Sequence, residues 1–507
     1  MPQGVLPFKY EEEATGGGMT AMAGLPAYLD LAHVAGLRES IERHVRVRRQ
    51  GDQGWTDAQM VLSLVLLNLA GGDCVDDLRI LEGDEGFCRV LERIETYGMR
   101  RRERRQLERR WRRERRRAVP SPSSVFRYLS WFHDTEQEKR RRPHESFIPR
   151  RNEHLEGLGR VNRGFLCFVQ DRLAQREATL DMDATLVETD KKEALWSYQG
   201  YRAYQPLSVY WVEQDCVVHS EFRDGNVPAG HEKLRVFREA LDRLPGGVEK
   251  VSLRADTAGY QQDLLKYCAE GRSKRFGVIE FAIGVDVTEA FRGAVLEVEE
   301  QEWEPLKRRG GGEWKDTGQE WAEVCFVPNW VGHTKRGPDY RYIAIREPLK
   351  QLEFSGMERQ LPFPTMEFGE KGRYKISGIV ANRAIAGDEL VWWYRARCGK
   401  GEEIHSVMKE DLAGGKFPSG KFGENAAWWA IMILAFNLNS AMKRLVLGGQ
   451  WVTKRLKAIR FALINVAGRV IERSRQLIVR LARGHPSNGI LLDARTRILN
   501  LAHGPPV

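Results

Sequence analysis

The sequence predicts a mixed α/β fold, a sheet with a helical region before it and helices after it, and three observations carry that expectation. From about residue 178 the chain reads as three strands, a helix, a strand, a helix and a strand, an order that suits hairpins first and crossover connections later. The opening third is helical in its spacing, and the pattern changes again after residue 286 to short β-like pieces.

In the opening third, Thr56 to Gly72 (TDAQMVLSLVLLNLAGG) has a capping Thr, an apolar body and a glycine stop. Ser121 to Phe132 (SPSSVFRYLSWF) again begins with Ser and Pro, as a helix start does. The first strand, ATLDMDATLV, alternates: Leu180, Met182, Ala184 and Leu186 share one face, and Asp181, Asp183 and Thr185 share the other. PLSVYWVEQ and CVVHSEFRDG follow as a hairpin. HEKLRVFREALDRL is helical, KVSLRAD is a strand ending at Asp256, GYQQDLLKYCAEG is a second helix, and FGVIEFAIG is the fifth strand. Residues 287 to 388, with Trp303, Trp314, Trp321, Trp330 and a GGG, read as a β-rich insertion. Helix returns at GEEIHSVMKEDL and continues through ENAAWWAIMILAFNLNSAMKRL. The chain closes with a basic amphipathic helix, RFALINVAGRVIERSRQLIVRLARG. The expected division is a basic helical region over 1–150, a core over 151–286 and 389–445 interrupted by the insertion at 287–388, and a basic helical region over 446–507.

Composition narrows the function classes. The 507 residues suit two to four domains. The apolar run from Ala426 to Phe436 is short for a bilayer span and reads as a buried helix, and no secretory pattern opens the sequence. Seven cysteines lie scattered without a CxxC pair, which argues against zinc and disulfides and fits a reducing cytoplasm. There are 80 Lys and Arg against 70 Asp and Glu, a net charge of +10. Arg100 to Arg117 alone holds twelve Arg and three Glu, a local excess of nine. Such a block attracts a polyanion with a steep salt dependence. Arg101, Arg105, Arg109, Arg112 and Arg116 are the candidate phosphate contacts, and the KRRR run at Lys139 to Arg142 adds to them. The competing account is a solvated helical linker whose Glu residues pair locally with Arg.

Three carboxylates stand out. Asp183 lies on the polar face of the first strand and Asp256 closes the fourth, and these strands can be neighbours. Two carboxylates about 4 Å apart repel by roughly 4 kcal/mol at an effective dielectric of about 20. A divalent cation such as Mg²⁺ removes that conflict and supplies Lewis acidity. In GEEIHSVMKED, Glu402, His405 or Ser406, and Lys409 fall on one helical face, with Glu403 turned about 100° away. Each residue also has a structural account: Asp183, like Asp181, solvated on a strand face, Asp256 as a helix cap, and Glu402 as one end of a surface pattern with Lys409.

At these positions the sequence resembles the DDE transposases of bacterial insertion sequences, the cut-and-paste branch with a Y-R-E-K signature, and within it insertion-sequence family 1380. The motifs are DMDATLVETDKKEALWSYQGYRAYQPL, LRADTAGY and YRARCGKGEEIHSVMKEDLAGGKFPSGKFGENAAWWA, and the resemblance spans about residues 178 to 445. It selects Asp183 over Asp181 as the first acid, Asp256 as the second and Glu402 as the third, with Lys409 completing E-x6-K. Tyr394 and Arg397 match Y-x2-R, but four residues rather than three separate Arg397 from Glu402, which leaves Glu403 a rival. The resemblance implies a ribonuclease H-like core, two Mg²⁺ ions with Mn²⁺ as a substitute, binding of double-stranded DNA at inverted-repeat ends and at the target, a synaptic homodimer, and no membrane. Lys409 and Arg397 would grip phosphates, Tyr394 would orient the DNA end, and Trp392 and Trp393 would stack on an unpaired base. Two rivals follow from the same residues: a metal-dependent nuclease that never joins ends, and an inactive DNA-binding regulator derived from a transposase.

Overall fold

A computed structural model describes residues 17–48, 53–112, 115–310, 313–328, 340–349, 363–369 and 372–502. Trp330 and the last two residues of the GGG motif lie outside them.

The alternation of the first strand does form β1 (Glu177–Ala184), followed by the hairpin β2 (Leu207–Trp211) and β3 (Cys216–Glu221), then β4 (Lys250–Ala255) and β5 (Glu280–Val285). The strand order is β3-β2-β1-β4-β5, with β1, β4 and β5 parallel and β2 and β3 antiparallel. The stretch from 287 onward adds to this same sheet. Its strands are β6 (Glu304–Gly310), β7 (Glu313–Val324), β8 (Arg341–Pro348), β9 (Thr365–Glu367) and β10 (Arg373–Ala381). β10 pairs antiparallel with β5, β8, β7 and β6 continue outward, and β9 pairs with β10, giving ten strands.

Helices cover both faces. In α1 (Asp57–Ala70) the Thr56 hydroxyl accepts from the Gln59 amide, and Gly71 at φ 98° closes the other end, as the Thr and Gly signals predict. α2 (Glu153–Arg172) lies under β3. On the face carrying Leu180, Met182 and Leu253 pack α3 (Lys233–Arg243), through Val236, Phe237 and Ala240, and α4 (Gln262–Ala269), through Leu264 and Leu265. The other face receives α5 (Gly387–Ser406) and α6 (Phe422–Ala441). With its continuation to Leu447, α6 is long and apolar enough to cross a bilayer, but most of it is buried in the protein. It is a core helix, joining α1, α2 and the C-terminal α7 (Ser487–Ala502) in one hydrophobic cluster.

The amphipathic helix expected over 460–484 does not form. A wide turn at Arg460–Ile464 leads into a hairpin, β11 (Gly468–Arg473) and β12 (Gln476–Leu481), which adds a two-residue strand at Met19–Thr20. β-branched Val470, Ile471, Ile478 and Val479 favour the strand, and the pairing of β11 with the N-terminal segment supplies the partner that a helix would lack.

Asn437 ties α6 to the sheet. Fully buried, its amide donates to Asn162 Oδ1 at 2.7 Å and to the Val217 carbonyl at 2.9 Å, while its Oδ1 accepts from the Val217 amide at 2.8 Å. Asn437→Ala strands those groups, and we expect a loss of about 2–4 kcal/mol, read as a lower urea midpoint. An unchanged midpoint would show that the bonds contribute nothing to stability.

Candidate active site

The parallel register between β1 and β4 sets Met182 opposite Ala255. The next residue on each strand is an aspartate, so Asp183 and Asp256 sit side by side at the carboxyl ends of adjacent strands, whose spacing is about 4.8 Å. Burial and the neighbouring Asp256 charge push the Asp183 carboxyl up to about 6.

Each carboxylate has its own cation. Lys233 at the start of α3 is wholly buried and donates from Nζ to Asp256 Oδ1 at 2.7 Å. Arg397 Nη1 stands 3.7 Å from Asp183 Oδ2. Asp181, on the same face of β1, is already engaged: Arg254 donates to its two oxygens at 2.6 and 2.8 Å, and passes a third bond of 2.7 Å to the Trp393 carbonyl. Asp181 therefore anchors α5 to the sheet, and Asp183 takes no part in that pair.

α5 crosses the sheet obliquely. Leu390 and Val391 pack with Trp321, Ile343 and Ile379 near its start. Further along, Tyr394 lays its hydroxyl over Gly284 of β5, where a Cβ would come within 2.8 Å of it. Gly401 then passes Asp183, with its Cβ direction 3.6 Å from Oδ2. Tyr394, Arg397 and Gly401 thus share the face turned toward the carboxylates, and Arg397 Nη2 stands 3.5 Å from the Tyr394 hydroxyl.

Glu402 follows Gly401 about 100° around the helix, and its side chain is exposed. Glu403 is half-buried and lies 3.4 Å from Lys400. Among the described residues, no three His, Cys, Asp or Glu side chains are grouped to hold a metal ion. The structure brings together Asp183, Asp256, Tyr394 and Arg397, and leaves Glu402 one helical position away. The regular face from Glu402 to Lys409 is also interrupted, because Val407–Asp411 forms a π turn. Burial, with Lys409 and then Arg397 nearby, lowers His405 to about 4, so it is neutral at pH 7.

Sequence reasoning misses Lys233 and Arg254, and gives His405 only a place on the Glu402 face. Lys233 carried a legible signal: it extends the apolar stripe of Val236, Phe237 and Ala240 back by one turn, an unusual place for a lysine. Trp392 and Trp393 are both occupied. Trp393 lies between Arg254 and Arg383, and Trp392 donates to the Lys307 carbonyl at 2.8 Å. The segment between β1 and β2 carries two exposed aromatics, Trp196 and Tyr198.

The arginine block divides in two. Arg101, Arg105, Arg109, Arg112 and Arg116 are exposed, the first two on the helix Arg101–Glu108. Arg115 is instead built into the fold, paired with Glu95 at 2.5 Å and seated over Trp55. In the KRRR run, Arg141 is buried against Asp224 and Glu138, while Lys139 and Arg142 pair with Glu136 and Glu145. Arg141 is thus taken up by internal pairs, while Lys139, Arg140 and Arg142 remain at the surface.

Two adjacent, half-buried carboxylates are hard oxygen donors, and Asp183 is raised first by burial and then by the Asp256 charge. This donor set fits a divalent cation of the Mg²⁺ type. Asp183 is ionised above about pH 6 in the folded chain and above about pH 4 when unfolded, so its contribution to stability falls between those values and stays low at higher pH. At pH 7.5 with EDTA we expect Asp183→Asn to melt above the wild type, the gap closing toward pH 4. Millimolar MgCl₂ should raise the wild-type Tm and leave the variant unmoved. A variant melting below the wild type in EDTA would contradict the charge conflict.

The family profile described as "Transposase DDE domain group 1" matches residues 8–503. Among solved structures, a cryo-EM structure of a piggyBac transposase synaptic complex with hairpin DNA aligns with a TM-score of 0.43 at 10% identity, covering 96% of this chain and 83% of that one. No curated protein matches the sequence.

Proposed function

The chain belongs to the transposase DDE domain group 1 family, and we propose that it cuts DNA at the inverted-repeat ends of a mobile element and joins the freed 3′ ends to target DNA. The reading includes a cut-and-paste route, the insertion-sequence 1380 branch, a synaptic homodimer and a cytoplasmic setting. The observation that carries it is the Asp183–Asp256 pair at the ends of adjacent parallel strands, crossed by a helix that turns Arg397 and Tyr394 toward them. The strand order β3-β2-β1-β4-β5 supports a ribonuclease H-like core.

Asp183, Asp256 and Glu402 would hold two Mg²⁺ ions, for which Mn²⁺ would substitute. Such ions supply Lewis acidity and an activated water when bound. The chain's own residues do the rest. Lys233 holds the Asp256 carboxylate in position. Arg397 and Lys409 grip phosphate oxygens beside the scissile bond, and Tyr394 limits how deeply the DNA end enters. Glu402 comes onto the face of Arg397 when the π turn moves to its N-terminal side, since one extra residue in the turn rotates it by about 100°. Arg101, Arg105, Arg109, Arg112 and Arg116 bind the duplex backbone.

The test is a donor plasmid bearing the gene's own flanking sequences, a target plasmid and MgCl₂. Excised and inserted products are expected. Products cut but never inserted would leave a nuclease, and binding without cutting would leave a regulator. Asp183→Asn and Asp256→Asn should each lower cleavage by roughly 10³-fold or more while DNA affinity stays nearly unchanged, and normal cutting by either would remove it from the site. Glu402→Gln should lose cleavage and Glu403→Gln retain it; the reverse pattern gives the third acid to Glu403.

Replacing Arg101, Arg105, Arg109, Arg112 and Arg116 together by Ala should weaken binding to all duplexes. The slope of log affinity against log salt should shrink by about 0.9 for each lost phosphate contact. An unchanged slope would make the segment a linker.

A further inference from the structure

The hairpin of β11 and β12 is a second strongly basic element beside the arginine block. Residues 469 to 483 hold five arginines and one glutamate. The register sets Arg469 opposite Arg480, Ile471 opposite Ile478 and Arg473 opposite Gln476. These six side chains share one face of the ribbon, because alternate residues point the same way. The other face carries Val470, fully buried, and Leu481, packed against the main core, so the arginine face is the outer one.

Two features of that face conflict with stability in isolation. Arg469 and Arg480 are like charges placed directly across the ladder, an unfavourable arrangement. Among the described residues Arg469, Arg473 and Arg480 form no ion pair that would offset it. The turn residues Ser474 and Arg475 have φ of 52° and 64°, a conformation that favours glycine or asparagine in such a turn. The tip is nevertheless held in place. Arg93 donates to the Arg475 carbonyl at 2.7 Å and stands 3.3 Å from Glu472. The helix bearing Arg93 (Glu85–Glu95) leads within six residues into the exposed Arg101–Glu108 helix. A ribbon whose opposed arginines meet no carboxylate among the described residues presents a face suited to an anion.

We propose that the outer face of this β-ribbon docks in the major groove of duplex DNA, with Arg469, Arg473 and Arg480 on phosphates or guanine edges and Gln476 on a base edge. A groove about 12 Å wide admits a two-stranded ribbon, Arg and Gln are the side chains that pair with guanine and adenine there, and Ile471 and Ile478 suit thymine methyl groups. The ribbon and the arginine helix then form two parts of one DNA-binding surface. This inference rests on the DNA-acting function proposed above.

The test uses the full chain and two labelled 40-base-pair duplexes, one with the gene's own flanking sequence and one scrambled. Arg469→Ala/Arg480→Ala should bind the first duplex at least about tenfold more weakly at moderate salt, with a log–log salt slope smaller by about 2. Its Tm should be unchanged or higher, since the opposed charges are gone. Should the double variant fold poorly, Arg473→Ala near the exposed tip takes its place, with a three- to fivefold loss expected. Gln476→Ala should lower the preference for the flanking sequence over the scrambled one. Unchanged affinity and slope in the arginine variants would overturn the proposal, and an unchanged preference in the glutamine variant would overturn the groove placement. A wild type that binds neither duplex would instead overturn the DNA-acting function itself.

Discussion

The parallel pairing of β1 with β4 in a single register is the constraint from which the site follows. It sets two aspartates next to each other at a half-buried strand end, where their charges repel in a poorly screened environment. The surroundings are arranged around that conflict. A lysine that would ordinarily reach water is buried to meet Asp256, an arginine on α5 leans toward Asp183, and glycines at 284 and 401 let the helix pass close overhead. The burial of Lys233 is costly by itself and makes sense only beside a fixed carboxylate.

The neighbouring ion pair explains why the geometry holds. Asp181 and Arg254 lie one step inward on the same strands, and the arginine bonds onward to the backbone of α5 at Trp393. A buried bidentate pair is weak support for stability but strong support for position. It fixes the crossing point of α5 from below while Leu390 and Val391 fix it from the side. The two aspartates of β1 therefore divide the work: one locates the helix, and the other remains available for chemistry.

Much of this could be read from the amino-acid order, because periodicity and caps are local signals. The period of two in ATLDMDATLV, the Thr56 and Gly71 helix ends and the five-strand series all have counterparts in the structure. Other features depended on long-range pairing, which local patterns do not encode. Strands after residue 303 join the same sheet because β10 happens to pair with β5. The stretch over 468–481 has apolar spacing compatible with a helix, but its pairing with Met19–Thr20 makes it a ribbon, and its turn lacks the glycine that would have announced it. Within Lys139–Arg142 the partner of Arg141 is likewise remote, since Asp224 claims it.

The spacing of α5 shows how a sequence irregularity becomes a structural one. Arg397 and Gly401 lie four residues apart and share the face toward Asp183, so a carboxylate at position 401 would point at the site. The chain places its glutamate one residue later, at Glu402. An α-helix absorbs one surplus residue by widening a turn, and a π turn does occur, at Val407–Asp411, just beyond it. A surplus residue accommodated after Glu402 leaves that side chain rotated outward, while the same residue accommodated before it would restore the alignment. Nothing after Asp411 need move, because the total rotation of the helix is equal in both cases. Under the proposed function, the position of the wide turn would decide whether Glu402 joins the two aspartates, and Gly399 and Gly401 would give the intervening backbone the freedom for that exchange.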